Sequence, residues 1–267
     1  LLVKADGATL YATRDIAAAF YRKKTDHFDQ CLYVVAYQQN LHFKQFFKVI
    51  ELMGYEWAKD LKHVAFGMVS MEGGSMSTRK GKVIFLEEVL SRCIEKALAI
   101  ITEKNPSLKD KESIAKDVGV GAVIFSTLSA NRIKDITFSY DRVLNFEGET
   151  GPYVQYTYAR CNSVMGKADF EPEKADFSQI APEENALVSL LMSFPEVVLD
   201  AADKYEPSFI TRLMVDIAQA YNKFYIECRI LGESEGVMNK RLALTRCTMQ
   251  VLKSGLGLLG IKTVDRM

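Results

Sequence analysis

Residues 72–82 form a stretch whose backbone and side chains suit the binding of a triphosphate. The sequence EGGSMSTRKGK holds three glycines, several hydroxyl groups and three cations. Glycine lets backbone N–H groups turn toward an anion, and Lys and Arg stabilise negative charge that develops on phosphoryl oxygens. The spacing of a Walker loop is absent. The stretch therefore predicts either a nucleotide phosphate site or a solvated basic turn.

Tyr11 and Asp15 lie four residues apart, which places both on one face if a helix extends back to Tyr11. A carboxylate and a neighbouring phenol can hold a planar guanidinium through charge-assisted hydrogen bonds and ring contact. On spacing alone, the pair predicts either such a site or an ordinary structural contact.

Tyr153, Tyr156 and Arg160 share a helical face because they occupy positions i, i+3 and i+7, whereas Tyr158 falls on nearly the opposite side. Two aromatic rings and a guanidinium form a surface on which unstacked nucleotide bases can stack. Tyrosines at this spacing are also typical of ordinary helix packing.

The predicted secondary structure that must position these residues differs between the first third of the chain and the rest. In the first third, runs rich in β-formers alternate with helical patterns, which predicts an α/β domain with a parallel sheet. From Glu112 onward the pattern is helical, apart from a short strand near 136–138, which predicts a helical bundle. Helices are predicted over 14–24, 43–53, 86–104, 112–132, 152–168, 183–204, 207–231 and 237–259, and strands over 31–36 and 63–69.

The composition is that of a globular protein without a global basic field. Lys plus Arg equals Asp plus Glu at 34 each, which argues against a DNA-coating protein but not against RNA binding. The five cysteines include no Cys-x-x-Cys pair, which predicts reduced thiols in the cytoplasm and no structural metal. No uninterrupted apolar run reaches the ~18 residues of a membrane span. We therefore expect neither DNA nor a membrane as a partner.

Residues 75–81, SMSTRKG, resemble the mobile-loop motif Lys-Met-Ser-Lys-Ser of class I aminoacyl-tRNA synthetases, in the form used by the arginyl and lysyl branches. The chain departs from the family at Ser75 and Thr78, where lysines are usual, so the sequence leaves open which cation faces the pyrophosphate. Residues 66–69 resemble the family strand whose backbone contacts adenine. The resemblance implies Ser77, Arg79 and Lys80 as catalytic groups and Gly67, Met68, Val69 and Met76 as ATP contacts.

Residues 6–17, DGATLYATRDIA, closely resemble the arginine-binding segment of the arginyl-tRNA synthetases. This implies that Tyr11, Asp15 and the downstream Gln39 bind the substrate side chain. Residues 39–43 also resemble the family's Gln-x-x-His-Phe segment. That implies a nucleotide contact by His42, with a helix-capping or structural role as the alternative.

Residues 147–153, EGETGPY, resemble the entry to the arginyl-type anticodon-binding domain. The resemblance implies tRNA contacts by Tyr153, Tyr156 and Arg160, and by Tyr221 later in the chain. The end of the chain resembles the family's terminal helix, although residues 240–244 depart from its Asp-Ala-Leu-Arg letters. Met267 is expected to be the native C-terminus and to lie near the anticodon loop.

These motifs occur in the family's order over essentially the whole chain. We therefore expect the second half of a Rossmann-like parallel-sheet catalytic domain (1–110), followed by an α-helical-bundle anticodon-binding domain (111–267). The implied protein is an arginine–tRNA ligase, monomeric and cytoplasmic, whose partners are L-arginine, ATP with Mg²⁺, and the anticodon stem-loop of a tRNA.

The sequence contains no His-Ile-Gly-His-type motif and does not begin with Met. We therefore expect a fragment of a longer enzyme that cannot form the adenylate alone. One alternative is a catalytically silent tRNA anticodon-binding module derived from a class I synthetase. A cysteinyl or methionyl synthetase and an ATP-binding protein without an RNA partner also stay open.

Overall fold

The computed structural model describes residues 3–72 and 85–267 and divides the chain into two compact units. Unit 1 is the chain up to Met68 together with 132–135, and unit 2 comprises 69–131 and 136–267. The boundary predicted at 110/111 lies between two helices of unit 2 that pack on each other, and it stays a prediction for the domains of the sequence.

Unit 1 has a pair of parallel strands packed against helices, as the alternating pattern predicted. Tyr33 of the first strand lies opposite His63 of the second. Phe43, Phe46 and Ile50 form the centre of the buried core, because they recur at helical spacing on the helix that joins the two strands. The elements are α1 (Tyr11–Asp26), β1 (Cys31–Ala36), α2 (Asn40–Leu52) and β2 (Leu61–Phe66), with short 3-10 helices at Tyr37–Gln39 and Glu56–Asp60.

The strand predicted over 63–69 is wrong as a single element, because the chain leaves β2 after Phe66. A Cβ atom at Gly67 would lie 2.1 Å from the backbone oxygen of Lys134, so only glycine fits there. The Gly67 N–H donates to the oxygen of Arg132 at 2.8 Å. Residues 132–135 therefore pack against the chain where it leaves β2, within unit 1.

Unit 2 is mainly helical, and its short strands β3 and β4 pair in parallel with Val69 opposite Ile136. Helices α3 and α4 approach closely at Gly119, where a Cβ atom would lie 2.8 Å from the backbone of Ile94. The predicted helices are confirmed with ends that differ by a few residues. The elements are β3 (Val69–Met71), α3 (Leu86–Lys104), α4 (Lys111–Ser129), β4 (Ile136–Phe138), α5 (Tyr140–Val143), α6 (Gly151–Met165), α7 (Pro182–Lys204), α8 (Ser208–Glu227) and α9 (Glu235–Leu258), with a short 3-10 helix at Pro172–Lys174.

Helix α7 is long and rich in apolar residues. Within the described ranges it is the one helix long and apolar enough, by length and composition, to cross a membrane. Its Leu187 and Ala201 are buried in the helical core, whereas Met192 and Leu199 are exposed. The expectation of no membrane partner therefore stays a prediction.

The five cysteines are free thiols. Burial raises the pKa of Cys93 to about 11 and that of Cys161 to about 12, which keeps both protonated and poorly reactive. Over residues 3–72 and 85–267 the structure contains no group of three or more His, Cys, Asp or Glu side chains that could hold a metal ion.

Candidate functional site

The residues predicted to act on the triphosphate belong to the stretch that gave the strongest sequence signal. Met76, Ser77, Arg79 and Lys80 lie outside the described residues. Their roles stay predictions.

The predicted guanidinium site lies at the start of α1. The helix begins at Tyr11 after an extended Leu10, so Tyr11 and Asp15 share a face as the spacing requires. The Asp15 carboxylate accepts a hydrogen bond from His42 of α2, with Nε2 2.8 Å from Oδ2. The His42 ring also contacts the Tyr11 ring, with 4.8 Å between centroids. Asp15, Tyr11 and His42 therefore form one cluster, in which Asp15 is half-exposed and available to a ligand.

Gln39 stands next to this cluster along the chain. It precedes the first residue of α2 and lies three residues, about one helical turn, before His42. It is exposed, and in the described part of the chain no hydrogen bond or ion pair joins its side chain to Tyr11 or Asp15. The structure thus brings Tyr11, Asp15 and His42 into contact, whereas among the described residues no hydrogen bond joins the Gln39 side chain to them.

In the segment predicted to contact adenine, two backbone N–H groups donate hydrogen bonds to other residues of the protein. The Gly67 N–H donates to Arg132, and the Met68 N–H donates to the Asp135 carboxylate at 2.7 Å. The side chains of Met68 and Val69 are exposed. A nucleotide contact here would have to use groups other than these two N–H donors.

A second candidate site lies on α6 in unit 2. Thr150 caps this helix by accepting a hydrogen bond from the Tyr153 N–H at 3.3 Å, and Pro152 follows in the first turn. Tyr156 is exposed, whereas only 3% of Tyr158 is exposed and its ring packs in the core. The predicted division of the helix into two faces is therefore confirmed.

Arg160 joins the aromatic rings on this face. Its guanidinium carbon lies 4.9 Å from the centroid of the Tyr156 ring and 5.2 Å from that of Tyr225 on α8. Among the described residues no carboxylate forms an ion pair with Arg160. Its charge is therefore available to a phosphate or to a stacked base.

Asn222 of α8 fixes the geometry of the face. Its side-chain oxygen accepts a hydrogen bond from Arg160, and its amide nitrogen donates to the hydroxyls of Tyr153 at 2.8 Å and Thr157 at 3.1 Å. One amide thus holds Tyr153 and Arg160, two of the three side chains of α6 that were predicted to contact tRNA. Asn222 carries no sequence signal of its own, although it lies next to Tyr221.

Tyr221 is not on this face. It is fully buried, donates to Thr245 at 3.4 Å, and burial raises its pKa well above the usual range. Its ring stacks on that of Tyr225, with 6.4 Å between centroids. A fully buried ring cannot stack on a base. The tyrosine that α8 adds to this face is instead Tyr225, which is exposed, contacts Arg160 and lies one helical turn later.

The face borders a cavity of about 480 Å³ that also contains the end of the chain. Met267 lines this cavity, so the structure brings it to the same place as Tyr153, Tyr156 and Arg160. Lys104, the last residue of α3, adds a cation that the sequence analysis did not select. The remaining lining residues are Ile100, Ile101, Asn105, Phe146, Glu147 and Asn222.

The last residues of the chain are held against α6 by side-chain amides. Gln155, which is fully buried, donates to the oxygen of Lys262 at 2.7 Å, and Asn162 donates to that of Asp265 at 3.1 Å. Because the two amides lie two helical turns apart, they align the tail along α6. This alignment places Met267 beside the cavity.

Comparisons with known proteins match two family models to successive parts of the chain. Residues 1–140 match the model of a family described as tRNA synthetases class I (R), catalytic domain. The chain belongs to this class I (R) synthetase family. Residues 154–267 match the DALR anticodon binding domain. A partial Rossmann-like α/β domain followed by a helical anticodon-binding domain is therefore confirmed.

The relatives of this class I (R) synthetase chain are about twice its length. It is 54% identical over 269 residues to the arginine–tRNA ligase of Halothermothrix orenii and 55% identical over 269 residues to that of Clostridioides difficile. Each of these alignments covers 100% of this chain and 48% of the relative. Its structure matches the Thermus thermophilus arginyl-tRNA synthetase with a TM-score of 0.92 at 31% identity, over 100% of this chain and 50% of that one. The chain thus spans about half the length of the relatives it matches.

Proposed function

We propose that this chain supplies the arginine-binding and anticodon-binding parts of an arginine–tRNA ligase. The observation that carries the proposal is the cluster of Asp15, Tyr11 and His42 at the start of α1 and α2. A carboxylate beside an aromatic ring suits a flat cation. Methionyl and cysteinyl enzymes need an apolar pocket or metal ligands instead, so this cluster favours arginine.

The proposed reaction has two steps. The carboxylate of arginine attacks the α-phosphate of ATP, which forms arginyl-adenylate and releases pyrophosphate. A hydroxyl at the 3′ end of the tRNA then attacks the adenylate carbonyl, takes the arginyl group and releases AMP. ATP enters as its magnesium complex. The contribution of Asp15 and Tyr11 would be to hold the amino acid in position for both attacks.

The helical unit is proposed to bind the anticodon stem-loop. Tyr156 offers an exposed ring, Arg160 and Lys104 offer cations, and Met267 borders the same cavity. Aromatic and guanidinium surfaces bind unstacked bases without needing a large net charge. This fits a chain whose net charge is zero.

The proposal is tested by amino-acid-dependent exchange of pyrophosphate into ATP with the full-length gene product, in the presence of total tRNA. Arginine is expected to support exchange, whereas lysine and cysteine at equal concentration are not. Residues 1–267 alone are expected to give no exchange, because this sequence lacks the His-Ile-Gly-His-type part of the nucleotide site. Exchange driven by cysteine or lysine instead of arginine would contradict the arginine assignment. No exchange with any amino acid, together with tRNA binding, would favour the silent binding module.

Replacing Tyr156 with alanine is expected to raise the Kd for the cognate tRNA about 5- to 150-fold, because stacking of one base contributes about 1–3 kcal/mol. Filter binding at one fixed salt concentration measures this. Tyr158→Phe is the matched control, since Tyr158 lies on the same helix but in the core, and it should leave the Kd within about twofold. Equal weakening by both changes would mean that Tyr156 serves packing only.

We further propose that the enzyme acts as a monomer in the cytoplasm. The five free thiols suit a reducing compartment.

A further inference from the structure

The His42 side chain is mostly buried and is held by contacts with neighbouring aromatic rings. Only 12% of its side chain is exposed, whereas 42% of the Asp15 side chain is. The imidazole is enclosed by three aromatic rings, with centroid distances of 4.8 Å to Tyr11, 5.2 Å to Phe43 and 6.0 Å to Phe46. The Phe46 ring is stacked on it at an interplanar angle of 14°. These contacts fix the direction in which its nitrogen atoms point.

The fixed imidazole holds the Asp15 carboxylate. Because an ionised carboxylate only accepts hydrogen bonds, the hydrogen on this 2.8 Å contact belongs to His42 Nε2. Within the described residues no other donor contacts Asp15, so without His42 the carboxylate would move among its rotamers on the surface of α1. Each carboxylate oxygen can accept two hydrogen bonds, which leaves acceptor sites on both oxygens for a guanidinium.

We propose that His42 is a positioning residue for the amino acid substrate, acting through Asp15, and does not serve as a nucleotide contact. This role rests on the proposed function. The imidazole orients the carboxylate through a single N–H donor, whereas Lys or Arg at this place would add a permanent cation that competes with the substrate. Tyr11 packs against His42, so one aromatic group supports both side chains that face the guanidinium.

The test is a comparison of two Michaelis constants in arginine-dependent pyrophosphate exchange by the full-length gene product, in the presence of total tRNA. His42→Phe keeps a ring among the aromatic neighbours but removes the donor, and it is expected to raise the KM for arginine about tenfold or more. The KM for ATP should stay within about twofold. His42→Gln can place an amide N–H near the position of Nε2 and should restore the KM for arginine to within about threefold of the wild type.

A second experiment tests whether His42→Phe raises the KM for arginine through its contact with Asp15. In an Asp15→Asn background, His42→Phe is expected to change the KM for arginine less than twofold, because the negative charge whose position His42 fixes is already gone. His63→Gln is the matched control, since His63 is another packed histidine of unit 1 whose Nε2 contacts only the Val35 oxygen at 2.9 Å. It should leave both constants unchanged. His42→Met, which also fills the space without a donor, replaces His42→Phe if that variant folds poorly.

The outcomes separate the alternatives. A rise in the KM for ATP with an unchanged KM for arginine would overturn the positioning role in favour of a nucleotide contact. Equal losses in His42→Phe and His42→Gln, or lowered thermal stability with both constants unchanged, would reduce the pair to a structural contact. A wild-type protein that shows no exchange with arginine would overturn the proposed function itself, and this role with it.

Discussion

Replacing Asp15 with asparagine in the full-length gene product is expected to lower kcat/KM for arginine about 100- to 1,000-fold. The variant keeps an oxygen that can accept from His42, so the contact between α1 and α2 survives. It loses the negative charge that we propose pairs with the guanidinium of arginine. Two hydrogen bonds to a charged group are together worth about 3–4 kcal/mol, which corresponds to this loss. Initial rates of pyrophosphate exchange, with arginine varied at saturating ATP, measure it.

The control for Asp15→Asn is Asp26→Asn. Asp26 lies on the same helix but at its far end, where it is exposed. The same chemical change there should leave kcat/KM within about twofold of the wild type. The KM for ATP should be unaffected in both variants. An unchanged KM for arginine in Asp15→Asn would remove Asp15 from the substrate site.

Replacing Glu184 with glutamine is expected to destabilise the helical unit by about 3–5 kcal/mol. Glu184 is fully buried at the start of α7 and accepts hydrogen bonds from Lys240 at 2.7 Å, Arg241 at 2.8 Å and the Ala181 N–H at 2.9 Å. Its side chain thereby ties α7 to α9. Glutamine has nearly the same shape but leaves the buried Lys240 ammonium, of which 5% is exposed, without a counter-charge.

Hydrogen exchange of the amides in α7 and α9 measures this loss as a local opening free energy. Asp200→Asn, on the same helix, is the control. Its ion pair with Lys204 is more than half exposed, so the change should cost less than about 1 kcal/mol. In Glu184→Gln combined with Lys240→Met, the buried cation is removed as well, and part of the lost stability should return. Equal exchange in Glu184→Gln and the wild type would contradict the assigned role.

The contribution of Glu184 is also expected to depend on pH. Burial by itself would raise the pKa of this carboxyl, but the hydrogen bonds from Lys240 and Arg241 outweigh it and hold the pKa below its ordinary value. A carboxyl with a lowered folded-state pKa stabilises the fold above the unfolded value, about pH 4.3, and loses this effect as the pH falls through the folded value. The difference between the wild type and Glu184→Gln should therefore be constant near neutral pH and shrink below about pH 4.

The proposed RNA surface combines parts of both matched sequence regions. Lys104 comes from α3, within the 1–140 match, whereas Tyr156 and Arg160 come from α6, within the 154–267 match. All three border one cavity inside unit 2. An isolated piece of the chain that begins at residue 154 would lack Lys104 and the cap of α6. Binding studies of the proposed RNA surface therefore need α3 as well.

The sequence by itself determined the order of the elements and the residues that share a helical face. Helical and strand periodicities are local properties, which is why α3, β1 and β4 were predicted at their observed bounds. The same locality placed Tyr11 and Asp15 together and separated Tyr156 from Tyr158. The resemblance to the class I (R) family likewise needed only short runs of residues in order.

Only the tertiary structure decided which distant side chains meet. His42 reaches Asp15 across 27 residues, and Asn222 reaches Tyr153 across 69, and no periodicity encodes such a pairing. The break of the strand at Gly67 depends on a backbone oxygen far along the chain. Tyr221 and Tyr225 lie on nearly the same side of α8, yet the packing of neighbouring helices buries the first and leaves the second exposed. Burial and partner choice depend on how elements pack, and packing is a property of the folded chain rather than of any segment.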